Sequence, residues 1–363
     1  PSVVLSGVSC FTVSRPCSSS SCVWCVKKSG VTTNLTFAGV AYGDATETVN
    51  GSGVEILQRN GFRINGTGAN TLFDFDGTRF IGLNTVLTNL EVTTGAGNDT
   101  VIGSAATAQQ TNGVNQARID YDLGAGQEDC TGAGLMNDVV FGQGGDDTLR
   151  GMLGADSLLG GADNDLLQGG EGNDKLQGDA GLDRLEGGLG NDHLVLTAGS
   201  NHELEEYLGG AGIDRLVNAT GGDVTLQQIN AFDGPNFNVL EIEELSLAAH
   251  TVLGTGSNDI FDLTGVRCLT MNTVVSDLEI ATGGGNDTVV GSDQTGQQTN
   301  GVNQNRYDYD LGAGNDSFTG AGVSADVVLG GPGTDTLYGG GDDSTPQRNP
   351  RADRLVDGQR RRA

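Results

Sequence analysis

The chain has 363 residues, enough for more than one domain, with 61 glycines and only 5% aromatic residues, which excludes a large aromatic core. Its net charge of −28, from 47 acidic against 19 basic residues, disfavours nucleic acid and anionic membrane surfaces as partners. No run of about 18 apolar residues is present, so no membrane span is expected.

Residues 1–30 hold four of the six cysteines: Cys10, Cys17, Cys22 and Cys25, with Cys22-Val23-Trp24-Cys25 forming a C-x-x-C. Two disulfides or a zinc site are open readings. The plainer one is a poorly ordered end with incidental thiols. The segment opens on Pro1, so an upstream stretch is expected, and it lacks the basic start and apolar run of a signal peptide. Cys130 and Cys268 stand alone and read as small buried residues.

A first module is expected over 31–217. Short alternating runs such as Val54-Glu55-Ile56-Leu57, broken by Gly and Asn, read as strands and turns. From Gly66 the sequence repeats itself: 66–149 matches 254–337 at a constant offset of 188 residues, and Gln109–Gln116 recurs unchanged as Gln297–Gln304. Each copy carries an isolated glycine turn, ending at Asp99 or Asp287. A Gln/Asn-rich segment follows, 105–118 or 293–306, read as a solvated excursion.

The densest pattern follows. Aspartate recurs every nine residues, at Asp138, Asp147, Asp156, Asp165, Asp174, Asp183 and Asp192, and an aliphatic residue follows each by two. Six nonapeptides run without a gap from Gly142 to Val195. They open on Gly142, Gly151, Gly160, Gly169, Gly178 and Gly187, with Gly145, Gly154, Gly172, Gly181 and Gly190 at position four. Asp163 takes that place in the third copy. Glycines at positions one, two and four are expected to take positive φ and let carbonyls crowd one point. The Asp at position six brings a carboxylate to the same point. Such oxygens are the donors Ca²⁺ prefers, and the absence of Cys or His there argues against softer metals. Positions seven to nine alternate polar, apolar, polar, the period of a short strand with its aliphatic residue inward. Two nonapeptides make one coil of eighteen residues, so the aspartates divide into two columns: Asp138, Asp156, Asp174, Asp192 and Asp147, Asp165, Asp183.

After Val195 the period breaks, and Leu196–Leu208 reads as a degenerate coil or short helix. Gly209, Gly212 and Asp214 restore one repeat. A second module is expected over 218–341, with a shorter roll marked by Asp316, Asp326 and Asp335. Where that module has Asp316, the first has Glu128, so the sequence leaves a site there in doubt. Residues 342–363 are Arg-rich and read as a disordered tail.

A search for catalytic groups finds little. His193 sits at position seven, facing out; His202-Glu203 lacks the second histidine of H-E-x-x-H; and no G-x-S-x-G or P-loop occurs. No hydrolase activity is expected from the chain itself.

The copy Gly169-Gly170-Glu171-Gly172-Asn173-Asp174-Lys175-Leu176-Gln177 is the nonapeptide G-G-x-G-x-D-x-U-x. The chain therefore resembles the RTX, or hemolysin-type calcium-binding, family. That resemblance implies an all-β fold: a right-handed parallel β-roll, here in two tandem modules, with several Ca²⁺ ions between stacked turns of each column. It also implies bacterial export in one step by an uncleaved C-terminal signal. Few apolar side chains set against much glycine backbone to be ordered leave folding dependent on the metal. The expected function is that of a secreted calcium-binding protein with a structural or adhesive role toward cell-surface or extracellular ligands. The alternative is the calcium-binding region of a secreted hydrolase or toxin whose catalytic domain lies outside this chain.

Overall fold

The computed structural model describes residues 34–36, 47–50, 55–57, 62–65, 70–74, 79–83, 89–103, 109–110, 118–197, 206–225, 241–246, 250–294 apart from 270–279, 296–297, 303–304, 307–320, 326–339, 345–347 and 354–356. The four cysteines of residues 1–30 lie outside them, as does His202. The chain divides into two compact units, 1–189 and 190–363. Among the described residues there is no helix, and the strand pairs are parallel except one.

In the first unit, consecutive strands go to opposite sheets. Val139–Gly144, Ser157–Ala162 and Lys175–Ala180 lie side by side in one, and Thr148–Leu153, Leu166–Glu171 and Arg184–Leu189 in the other. Leu158 stands opposite Val140 and Leu176, and Leu167 opposite Leu149 and Leu185. This is the eighteen-residue coil of a parallel β-roll. Val140, Leu149, Leu158, Leu167, Leu176 and Leu185 are at most 1% exposed and form its core. That burial is the main apolar contribution to the roll, about 1.5–3 kcal/mol per side chain.

The strands are longer than the alternation predicted. Each runs six residues, from position seven through position three of the next repeat, as in Ser157–Ala162. The first two glycines thus belong to the strand, and the turn proper is positions four to six. The φ expectation holds at positions two and four, for instance Gly170 at 110° and Gly172 at 149°, but not at position one, where no positive φ occurs from Gly142 to Gly178. Position one is glycine for lack of room, as the site geometry shows.

Toward the N-terminus the same sheets continue with longer coils. Arg118–Asp122 and Asn89–Thr93 extend one sheet, while Asp129–Thr131 and Thr100–Ile102 extend the other. The separation between stacked levels grows from 18 residues to 19 and then 29. Part of the Gln/Asn-rich segment is ordered: Gln109–Gln110 pairs with Ile81 and Leu83 in a third parallel stack that also holds Glu55–Leu57.

The second unit has the same construction. Leu194, Leu216, Leu245 and Cys268 stack in one sheet, and further rows run through Ile280, Tyr309 and Val328 and through Phe261, Val289, Phe318 and Leu337. Aromatic rings pack together here: the Tyr309 and Phe318 ring centroids are 5.0 Å apart, with Tyr307 6.4 Å from Tyr309. Cys130 and Cys268 are both free and fully buried. The octapeptide identical to Gln109–Gln116 differs in pairing, since Gly296–Gln297 meets Asn303–Gln304 antiparallel. In the stretch read as a disordered tail, Thr345–Gln347 and Arg354–Val356 add strands beside Val327–Leu329 and Thr336–Tyr338. There Leu355 falls opposite Leu337, which keeps the apolar row in register.

Candidate metal centre

The aspartates form ladders. In the first unit, Asp156 Oδ1 accepts the backbone N–H of Asp138 at 2.6 Å, and Asp174 Oδ1 that of Asp156 at 2.7 Å. In the other column Asp165 serves Asp147, and Asp183 serves Asp165, both at 2.9 Å. In the second unit Asp214 serves Asp192, Asp316 serves Asp287 and Asp335 serves Asp316. Each carboxylate is thereby fixed by the coil before it, and all these residues are at most 3% exposed.

One oxygen of each is so committed. Oδ2 of Asp147, Asp156, Asp165, Asp214, Asp287 and Asp316 is buried without a hydrogen bond. What it faces explains position one. A Cβ on Gly142 would stand 2.3 Å from Asp147 Oδ2 and 2.5 Å from the Gly160 carbonyl oxygen of the next coil. At Gly151 the same place is 2.4 Å from Asp156 Oδ2 and 2.6 Å from Gly169 O, and at Gly169 2.5 Å from both Asp174 Oδ2 and Gly187 O. Gly160 and Gly178 crowd Asp165 and Asp183 alike. At Gly142, Gly151 and Gly169 a carboxylate oxygen and a carbonyl thus converge where the side chain is missing. At position four the carbonyls stack: a Cβ at Gly172 would lie 1.4 Å from Gly154 O, at Gly181 1.8 Å from Asp163 O, and at Gly212 1.5 Å from Gly190 O. Gly145 meets Gly126 O in the same way.

Burial raises these carboxyls, since it penalises the charged form. Asp156 is pushed up to about 7 and Asp165 to about 8, chiefly by burial and secondarily by neighbouring aspartates, against the backbone N–H that lowers it. Asp214 and Asp316 rise to about 6 for the same first cause. A cation among these oxygens removes the penalty. Carboxylate and carbonyl oxygens are the donors of a hard, oxygen-seeking ion; among the described residues no three His, Cys, Asp or Glu side chains gather into a group that could hold a metal, so most donors to such an ion would be backbone carbonyls.

Several residues behave differently from the pattern. Asp138 has both oxygens engaged, Oδ1 by Ile119 N–H at 3.2 Å and Oδ2 by Ala133 N–H at 2.6 Å. Asp326, its equivalent, is fully buried and faces Gly291 near Tyr309 rather than a glycine turn. Gly209 holds Asp214 Oδ2 at 3.0 Å but meets Glu241 O rather than a repeat carbonyl. Asp163 keeps the left-handed turn of the glycine it replaces, with φ 76°. Asp99 occupies the level before Glu128, and its carbonyl accepts Asp129 N–H at 2.9 Å.

Two carboxylates in these columns, Asp259 and Glu243, are additional to the residues singled out from the sequence, and Glu128, doubtful there, joins them. Asp259 is 2% exposed, donates its N–H to Asp287 Oδ1 and accepts Thr255 N–H at 2.6 Å. It was legible as position six of Gly254–Asp259. Glu243 Oε2 accepts Asp214 N–H at 2.8 Å, and Glu128 fills the level between Asp99 and Asp147. Position five supplies a second ladder running the opposite way. Asn137 Oδ1 accepts Ala155 N–H, Asn164 Oδ1 that of Leu182, and Asn191 Oδ1 that of Ile213, at 2.8–3.0 Å. The Asn that precedes Asp138, Asp165, Asp174 and Asp192 was its signal. His193 is exposed on its strand, and His250 lies 3.8 Å from Asp223.

The family model described as the RTX calcium-binding nonapeptide repeat (4 copies) matches residues 91–106, 133–167, 159–194, 168–202 and 312–345. No curated protein and no solved structure matches the chain. Repeats of this kind bind Ca²⁺, and several repeats mean several ions. With the nonapeptide periodicity, the parallel roll and the carboxylate columns, the chain carries RTX calcium-binding nonapeptide repeats.

Proposed function

We propose that this protein is a secreted calcium-binding scaffold that folds when it meets calcium outside the cell, and that its role is structural or adhesive. The observation that carries this is the set of buried aspartate oxygens with no hydrogen bond, of which Asp147 Oδ2 and Asp156 Oδ2 each converge with a carbonyl of the next coil. Burying such oxygens unpaired is costly, and a divalent cation is the partner that removes the cost. In this reading the ligands are the carboxylates of Asp147, Asp156, Asp165, Asp174, Asp183, Asp192, Asp214, Asp287, Asp316 and Asp335, with carbonyls of the glycine turns. Metal binding and folding become one event, and the −28 charge keeps the metal-free chain expanded and soluble. The chain itself performs no hydrolysis: its carboxylates are spent on the roll, and the exposed His193 stands on a strand face.

Circular dichroism of the full chain in EGTA and in millimolar Ca²⁺ tests this. A weak β signal should become strong on adding calcium, and magnesium should substitute poorly because it demands tighter octahedral geometry. An identical β spectrum with and without calcium refutes the reading.

A further inference from the structure

At Gly142, Gly151 and Gly169, position one of the repeat leaves empty the space where a carboxylate oxygen meets the next coil's carbonyl. Two turns depart from this. Thr94-Gly95-Ala96-Gly97-Asn98-Asp99 and Thr282-Gly283-Gly284-Gly285-Asn286-Asp287 carry threonine at position one, at corresponding places of the 188-residue duplication and one in each compact unit. Both threonines are fully buried.

Their hydroxyls occupy what glycine leaves open. The carbonyl facing the Gly169 place is Gly187 O, position one of the next coil. In the second unit Thr282 Oγ1–H donates to Leu311 O at 2.7 Å, and Leu311 is likewise position one of the next turn. In the first unit Thr94 Oγ1–H donates to Leu123 O, again position one of the next turn. Burial pushes the Asp287 carboxyl up, while the Asp259 N–H and the Thr282 hydroxyl pull it down, so that hydroxyl lies at the carboxylate as well as at the carbonyl. The level before it is open by contrast: a Cβ on Gly254 would stand 2.4 Å from Thr282 O and 2.7 Å from Asp259 Oδ2. A hydroxyl has one proton for two acceptors, whereas Ca²⁺ coordinates both.

We propose that Thr94 and Thr282 are built-in competitors for calcium: each hydroxyl takes the carbonyl that an ion would use, so the levels of Asp99 and Asp287 fill last. This rests on the reading of the chain as a calcium-folded roll. An ion entering there must displace the hydroxyl from a buried carbonyl and find room beside a side chain that the glycine copies lack. The same hydrogen bond joins two successive turns with no ion between them, which gives each unit a level that is closed before calcium arrives. The threonines thus set affinity along the columns without serving as ligands.

The test counts ions at limiting calcium. Full-length wild type, Thr282→Gly and Thr282→Ser are held at the lowest free calcium that folds each by circular dichroism, and bound calcium is measured by equilibrium dialysis. Thr282→Gly should hold one ion more than wild type, and Thr282→Ser, which keeps the hydroxyl, should match wild type. Loss of packing at a buried residue would lower the count rather than raise it. An equal or smaller count for folded Thr282→Gly overturns the proposal, as does a Thr282→Ser count that rises with it. A wild type that binds no calcium overturns the underlying reading instead. Should Thr282→Gly not fold, crystals of the wild-type chain grown at limiting Tb³⁺ decide. Anomalous peaks between Asp156 and Gly169 with none beside Thr282 support the proposal, and a peak of equal height beside Thr282 sinks it.

Discussion

Backbone conformation is where single residues of the roll matter most. Position two of the repeat lies inside a strand yet takes positive φ, at Gly161, Gly170 and Gly188 without penalty. Gln143 and Met152 hold the same place at 82°, and Asp179 at 74°. A side chain there costs about 1–2 kcal/mol in the left-handed region, and the Met152 side chain is 45% exposed, so it returns little through burial. Met152→Gly should therefore raise the stability of the calcium-loaded chain, by about 1 kcal/mol after the unfolded-state entropy of glycine is set against it. Gly172→Ala should act in the other direction and by more, because its Cβ would lie 1.4 Å from Gly154 O and at φ 149°. Urea unfolding of both variants at fixed saturating calcium gives the comparison. A Met152→Gly midpoint below wild type contradicts this account of position two.

The coil is the element on which the site is built, and its levels are not equal. Asp174 sits in the run of eighteen-residue coils: it caps Asp156 N–H at 2.7 Å, and its Oδ2 converges with Gly187 O at Gly169. Asp335 caps Asp316 N–H at 3.0 Å, but the three nearest atoms around the Gly330 Cβ place belong to Asp335 itself, with no carbonyl of a further coil among them. Asp174→Ala should thus shift the calcium midpoint of folding upward more than Asp335→Ala does. Calcium titrations followed by circular dichroism measure this, and equal midpoints would count against the ordering. The coils were legible in the sequence because two periods coincide there, Asp every nine residues and a buried aliphatic two places later. Asp147 and Leu149 announce both a ligand and a core position. The extra strand length was not legible, since Gly160 and Gly161 carry no side-chain alternation to read. The levels at Glu243 and Asp259 escaped for a different reason. Their coils are 28–29 residues long, so the nine-residue spacing that marks the other levels is absent; the stacking of strands brings Glu243 into its column, and Asp259 keeps only the opening Gly254 of a degenerate repeat as its mark.

For the molecule as a whole, the buried carboxylates couple folding to protons as well as to calcium. Asp156, Asp165, Asp214 and Asp316 sit at about 7, 8, 6 and 6 in the folded roll, raised first by burial. Their unfolded values are near the ordinary aspartate value of about 3.9. Between about pH 4 and pH 8 the metal-free roll therefore binds more protons than the unfolded chain. The linkage relation then makes unfolding free energy rise as pH falls through that window, and vanish as a contribution once pH exceeds the folded values. Protons do part of what calcium does: they neutralise the columns and reduce the self-repulsion of a chain carrying −28. They also compete for the same oxygens, so calcium should bind more weakly as pH falls. In calcium-stripped buffer at pH 5, above the sequence pI of about 4.1, dilute protein should show more β signal than at pH 8. The calcium midpoint at pH 6 should in turn lie higher than at pH 8. Circular dichroism across this range measures both. A metal-free spectrum that does not change between pH 8 and pH 5, together with a calcium midpoint indifferent to pH, would mean that the columns are not where folding and ionisation are linked.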